Sequence, residues 1–528
     1  MNPSRYLAMA FCLVTSLLLV ACGKAPPQTT ANGESLHGTW DESNSTVAVF
    51  RGVPFAAPPV GNLRWRAPQP HTPRSGTVAA EQFAAACPQG DYIVDWYAQL
   101  AEAFGSSAEV VQRPVGESED CLYLNIWTPD LQPEAPLPVM VYVHGGANQG
   151  GWSYEPNYLG EKLAARGVVV VSISYRLGPL GFFSHAALGD GSEEAVANFG
   201  LLDIAQAFQW VRANIASFGG AADNVTAFGE SSGAGNLIDL ALATDSASDA
   251  LFERLIAQST GGAVNKRRSL AQEQKLGSQL VAALGLPDSA SVEELRAQDW
   301  QALLQAGKQA LPDHYYDAVI DGRLLLQQPV AGLAGPQASR LEIVIGTNKD
   351  EELMYLDEGI GEAELMAWLL ETVPEYSGTL RDAVSDAADP RRALDRLKTA
   401  RQMLCPSRLI AEKASAAGGQ GFMYWFTRQR PGPGGEALGA YHGAELPYVF
   451  DQHDEWLPGD ATDQAVTDAM MAYWVAFAQN GTPRAAGLAE WPMYTAATPW
   501  VLEFSGETTA IQAPDSWLCH YLAPRIPQ

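Results

Sequence analysis

Residues 218–235 read FGGAADNVTAFGESSGAG, and the elements this stretch predicts decide the fold. Residues 225–228 are a short β-branched and aromatic run of buried-strand type, followed at once by Gly229-Glu230-Ser231-Ser232-Gly233, with Ala234 and Gly235 opening an apolar helical pattern. Strand, sharp turn and helix put the middle serine at a strained, exposed apex. Glycines two before and two after it are required because a Cβ there would strike the neighbouring strand or helix. Ser231 is therefore a candidate nucleophile. With 49 glycines in 528 residues the pentapeptide alone carries little weight, so its context has to decide.

Working outward, residues 138–143 (PVMVYV) form a continuous apolar run of strand length, as in a parallel sheet covered on both faces. The run ends in His144-Gly145-Gly146-Ala147, whose bare backbone N–H groups can be approached closely by a carbonyl oxygen. Strands are also predicted over residues 119–129, 167–175, 341–345 and 422–427, with an edge strand near residue 47 and an amphipathic helix over 201–218. Between Ser231 and residue 341 the pattern is largely helical. The glycine loop, the serine, the acidic cluster Asp350-Glu351-Glu352 and His442 each follow the carboxyl end of a different strand, where open α/β sheets place their ligand sites.

A serine hydroxyl needs an imidazole to take its proton, and the imidazole needs a carboxylate to fix its tautomer. Of the histidines, only His442, His453 and His520 follow the acidic cluster, and only His442 lies on a loop after a strand. Composition does not choose among Asp350, Glu351 and Glu352. The N–H groups of Gly146, Ala147 and Ser232 are candidate oxyanion donors. Glu230 reads equally well as a site-polarising group or as a buried, hydrogen-bonded one. No metal-ligand spacing and no phosphate-binding glycine loop is present, so neither metal nor cofactor is expected.

The net charge of −27 and a pI near 4.6 exclude nucleic acid and anionic membrane surfaces as electrostatic partners. The N-terminus carries Arg5 and then an apolar run to residue 20, too short to span a bilayer, which reads as an export signal. Its end, Leu19-Val20-Ala21-Cys22, resembles the lipobox of bacterial lipoproteins. That resemblance implies cleavage before Cys22, acylation of Cys22 and anchoring in the cell envelope, at the outer membrane because Gly23 is not an aspartate. Plain secretion or a periplasmic location is the alternative. The resulting division is a signal over 1–21, a flexible tether over 22–38 and one domain over 39–528. Cys87, Cys121, Cys405 and Cys519 remain, and four cysteines in an exported chain allow three connectivities.

Six stretches together resemble the type-B carboxylesterase family of α/β-hydrolases: EDCLYLNIWTP at 119, HGGA at 144, SYRLGPLGF at 174, the elbow at 218, GTNKDE at 346 and HGAELPYVF at 442. The resemblance implies an α/β fold with a mostly parallel central sheet, helices on both faces and large helical insertions. It implies hydrolysis of small to medium carboxylic esters through an acyl-enzyme, with Ser231 as nucleophile, Glu351 as acid, His442 as base, and Gly146, Ala147 and Ser232 at the oxyanion. It also implies disulfides Cys87–Cys121 and Cys405–Cys519. A lipase or choline-ester hydrolase of the same fold, or a non-catalytic binding module, are the competing readings. Two departures stand out. Asn148 replaces the usual aromatic, which predicts a more polar pocket wall, and Glu352 replaces the usual glycine.

Overall fold

The computed structural model describes residues 24–189, 195–243, 251–260, 262 and 264–523. The predicted signal and Cys22 lie outside them. In chain order the strands are β1 (Gln28–Ala31), β2 (Glu34–His37), β3 (Thr39–Trp40), β4 (Ala48–Pro54), β5 (Thr77–Ala79), β6 (Tyr123–Thr128) and β7 (Leu137–Val143). They continue with β8 (Val169–Ile173), β9 (Gly220–Glu230), β10 (Arg254–Gln258), β11 (Glu342–Asn348), β12 (Gln420–Phe426), β13 (Trp500–Phe504) and β14 (Thr508–Gln512).

Eleven of these form one sheet in the order β14-β13-β12-β11-β10-β9-β7-β8-β6-β4-β3. From β8 through β7 and β9 to β13 every pair is parallel, and antiparallel pairs close both ends. The pleat sends successive side chains to opposite faces. On β7, Val139, Val141 and Val143 join a core with Ile204, Phe208 and Val211 of the helix Phe199–Asn214. Met140 and Tyr142 join a second core with Val466, Met470 and Tyr473 of the helix Ala461–Asn480. Burial on both faces is why the central strands read as unbroken apolar runs.

Three expectations are corrected. Residues 28–37 are no flexible tether: β1 and β2 pair with each other and β2 with β5 in a separate three-stranded sheet. The chain is pinned even before β1, since the Lys24 ammonium lies 3.0 Å above the Trp40 ring and the Trp40 indole donates to the Ala25 carbonyl at 2.7 Å. Polar threonines and serines on a narrow, half-exposed sheet leave no apolar period to read. The strand near residue 47 is not at the edge, because β3 lies outside β4. The segment between Ser231 and residue 341 is largely helical as expected, and the expectation is corrected only in that it also contains β10, a run of five residues too short for its period to show.

Both disulfides implied by the family resemblance are present, Cys87–Cys121 and Cys405–Cys519, with Cα–Cα separations of 5.0 and 5.3 Å. The first closes the loop that holds the helix Tyr92–Ala103, one face of which borders the site described next.

Candidate active site

β9 ends at Glu230, and Ser231 opens the helix Ser231–Leu242 with φ of +52°, a left-handed conformation that costs a side-chain-bearing residue of order 1–3 kcal/mol. The elbow glycines are sterically required. A Cβ on Gly229 would sit 2.7 Å from the Val143 carbonyl oxygen, and one on Gly233 only 2.2 Å from it and 2.4 Å from that of His144.

The elbow, the loop after β11 and the loop after β12 converge. His442 Nε2 lies 2.9 Å from Ser231 Oγ, and His442 Nδ1 lies 2.6 Å from Glu351 Oε2. The other Glu351 oxygen accepts from the Thr347 hydroxyl at 2.6 Å and the Asn348 N–H at 2.7 Å. Burial opposes charge on Glu351, but His442 and Thr347 hold its carboxyl below the usual value. Its neighbours point elsewhere. Asp350 accepts from the Ala440 N–H at 2.9 Å, and Glu352 pairs with Lys398 at 3.1 Å. Geometry thus selects one carboxylate where composition left three. His453 and His520 stand away from this cluster, His453 being bonded to Arg430 and Thr467.

Across the elbow, Gly146 has φ of +101° and Ala147 of +55°. Neither N–H donates to another group among the described residues, so both remain available, as does the Ser232 N–H in the first turn of its helix. Asn148 departs from the expectation of a polar pocket wall. It is buried behind the loop, where its N–H donates to Ser232 Oγ at 3.1 Å, its amide donates to the Tyr316 carbonyl at 2.7 Å, and its oxygen accepts from Asn236 at 2.8 Å. An amide can satisfy donors and acceptors on three sides, and here it ties the glycine loop to the elbow helix.

Glu230 is part of the site. Its Oε1 lies 3.1 Å from His442 Nε2, and a Cβ on Gly145 would meet its Oε2 at 2.5 Å. Burial pushes the Glu230 carboxyl up to about 8, against the pull of His442 and with help from Glu445 and Glu351. Burial likewise disfavours the imidazolium of His442, yet Glu230 and Glu351 outweigh it and push that group up to about 10. Both groups thus hold their protons above their ordinary ranges, His442 because two carboxylates lie beside it. Because an imidazole acting as base accepts a proton only when neutral, the acid limb of kcat/KM follows loss of the His442 proton. Glu230→Gln removes the leading negative neighbour, so the imidazolium loses stabilisation and the limb should move to lower pH by roughly 1 unit. A pH–rate profile checks this, and an unmoved or raised midpoint refutes it.

Sequence reasoning missed the support behind the acid. Asn348 donates to Glu445 at 2.6 Å and to the Tyr441 carbonyl at 2.8 Å, and Gln258 at the end of β10 donates to Glu445 at 2.9 Å. Glu445 lies three residues after His442 in the HGAE run, and its sequence offers no signal beyond that proximity. Ser231, His442, Gly146 and Ala147 line a cavity of about 440 Å³ bordered by Tyr92, Trp96 and Tyr355, with the Trp96 indole donating to the Tyr355 hydroxyl at 3.1 Å. Among the described residues no group of three His, Cys, Asp or Glu side chains is placed to hold a metal ion.

A mostly parallel sheet, a strand-to-helix serine elbow, and a carboxylate and histidine on later loops together define an α/β-hydrolase. The chain belongs to the carboxylesterase family, whose model matches residues 26–517. It is 33% identical over 508 residues to the fumonisin B1 esterase of Sphingopyxis macrogoltabida, covering 92% of this chain and 88% of that one. It is 31% identical to the para-nitrobenzyl esterase of Bacillus subtilis strain 168, covering 88% and 93%. Among solved structures, the carboxylesterase of Geobacillus stearothermophilus superposes with a TM-score of 0.80 at 29% identity, over 94% of this chain and 99% of that one. The protein is a carboxylic ester hydrolase.

Proposed function

We propose that Ser231 attacks the ester carbonyl while His442 takes its proton through Nε2, giving a tetrahedral intermediate whose oxyanion is held by the N–H groups of Gly146, Ala147 and Ser232. Glu351 keeps the proton of His442 on Nδ1 and stabilises the imidazolium as it forms. His442 then returns the proton to the leaving alcohol, and the acyl group stays on Ser231. Water enters, gives its proton to the same nitrogen and releases the acid. The observation that carries this reading is the 2.9 Å contact of Ser231 Oγ with an imidazole whose other nitrogen is 2.6 Å from a buried carboxylate. A cavity of about 440 Å³ suits small to medium esters. One equivalent of a dialkyl fluorophosphate should abolish turnover and appear by peptide mass spectrometry on Ser231. Label on another residue, or full labelling with activity retained, would refute the assignment.

The lipobox-like run before Cys22 supports a second part of the proposal, that the mature enzyme is a lipoprotein of the cell envelope. Native protein should partition into the detergent phase of a Triton X-114 separation, and Cys22→Ala protein into the aqueous phase. Native protein in the aqueous phase would end that reading.

A further inference from the structure

For a protein of net charge −27, the mouth of the active-site cavity has an unexpected chemistry. Lys266 borders it, is exposed and has no acidic partner among the described residues. The chain beside it is rooted firmly. Arg267 is buried, with its Nε 3.1 Å from both oxygens of Asp239, its Nη1 2.8 Å from Asp317 and its own N–H donating to Gln328 at 2.7 Å. Asp317, which also borders the cavity, turns to Arg267 rather than to Lys266, and shares that one guanidinium with Asp239.

Two tyrosines share this rim. Tyr92 is 44% and Tyr315 42% exposed, and among the described residues neither hydroxyl bonds to another group, whereas that of Tyr355 accepts from Trp96. A phenol is protonated at neutral pH and donates. One ammonium and two phenolic O–H groups around one opening are a set of uncommitted donors. The ligand they suit is a carboxylate, which has two oxygens and no donor and forms its strongest hydrogen bonds with charged donors.

We propose that Lys266, Tyr92 and Tyr315 form an anion subsite at the mouth of the cavity, so that the preferred esters carry a carboxylate on the end remote from the scissile bond. This rests on the reading of Ser231 as the nucleophile deeper in the same cavity. It adds a substrate class to that reading: half-esters and esters of polycarboxylic acids, or esters of alcohols that bear an acid group.

Two matched pairs test it: p-nitrophenyl butyrate against p-nitrophenyl hemiglutarate, with the carboxylate on the acyl side, and phenyl butyrate against 4-carboxyphenyl butyrate, with it on the alcohol side. In at least one pair kcat/KM should favour the charged ester, and Lys266→Gln should lower that ratio about tenfold. Tyr92→Phe and Tyr315→Phe should lower it less, and 0.5 M salt should reduce it in the native enzyme. No preference in either pair, or a preference that survives Lys266→Gln, overturns the subsite. Failure to hydrolyse any of the four esters would instead count against Ser231 as nucleophile. The subsite is then read without turnover, by calorimetric titration of monomethyl glutarate into the Ser231→Ala protein. Saturable binding weakened about tenfold by adding Lys266→Gln supports the proposal, and equal or absent binding overturns it.

Discussion

Glu351→Gln should lower kcat about 10⁴-fold in a protein that still folds. The carboxylate spends one oxygen on Thr347 and the Asn348 N–H and the other on His442 Nδ1. A glutamine has only one acceptor oxygen. If that oxygen keeps the two donors behind it, its NH₂ faces Nδ1 and forces that nitrogen to accept, which moves the imidazole proton to Nε2. A protonated Nε2 cannot take the proton of Ser231. Glu352→Gln is the control, because its side chain turns away from His442 to pair with Lys398 at 3.1 Å, and the change should leave kcat within about twofold. Measuring kcat on p-nitrophenyl butyrate, with circular dichroism to confirm folding, separates the two. A folded Glu351→Gln enzyme retaining most of its kcat would remove Glu351 from the relay.

Gly233→Ala should cost more than 10³-fold in kcat although it adds a single methyl group and touches no substrate. Its Cβ would lie 2.2 Å from the Val143 oxygen and 2.4 Å from the His144 oxygen, both backbone atoms with no rotamer to yield. The elbow helix and the glycine loop must therefore part. The Ser232 N–H and the N–H groups of Gly146 and Ala147 would no longer converge on one point, and each lost oxyanion donor alone costs about 10²–10³-fold. Gly235→Ala, on the same helix with nothing within 4 Å of its Cβ, is the companion that should remain active. Steady-state kinetics of both variants decide the matter: alanine favours a helix over glycine, so equal loss in the two would refute the collision at Gly233 as the cause.

The parts of the site legible in the sequence are those where backbone geometry restricts residue choice. The elbow glycines and the glycines after β7 leave no room for a Cβ, so each is written in the sequence as a glycine at a fixed place after its strand, even though the atoms it meets, such as the Val143 and His144 carbonyls at the elbow, belong to another strand. The buried parallel strands were legible too, through their unbroken apolar runs. What stayed hidden depends on partners far along the chain. Asn148 was misread because its neighbours Tyr175, Asn236 and Tyr316 come from three distant segments. Glu445 acts on the acid loop through Asn348, and Gln258 reaches it from a strand too short to be recognised. Neither periodicity nor spacing encodes such long-range bonds.

The pinning of the chain from Lys24 onward changes what a lipid on Cys22 would do. Lys24 is held over Trp40, and Ala25 and Pro27 accept from Trp40 and the Gly38 N–H. Two residues of extended chain reach about 7 Å. An acylated Cys22 would therefore hold the catalytic body close to the bilayer surface rather than at the end of a long tether. Such an enzyme would meet its substrate by lateral diffusion, and a flexible insert between Gly23 and Lys24 would let the body range further from the lipid plane.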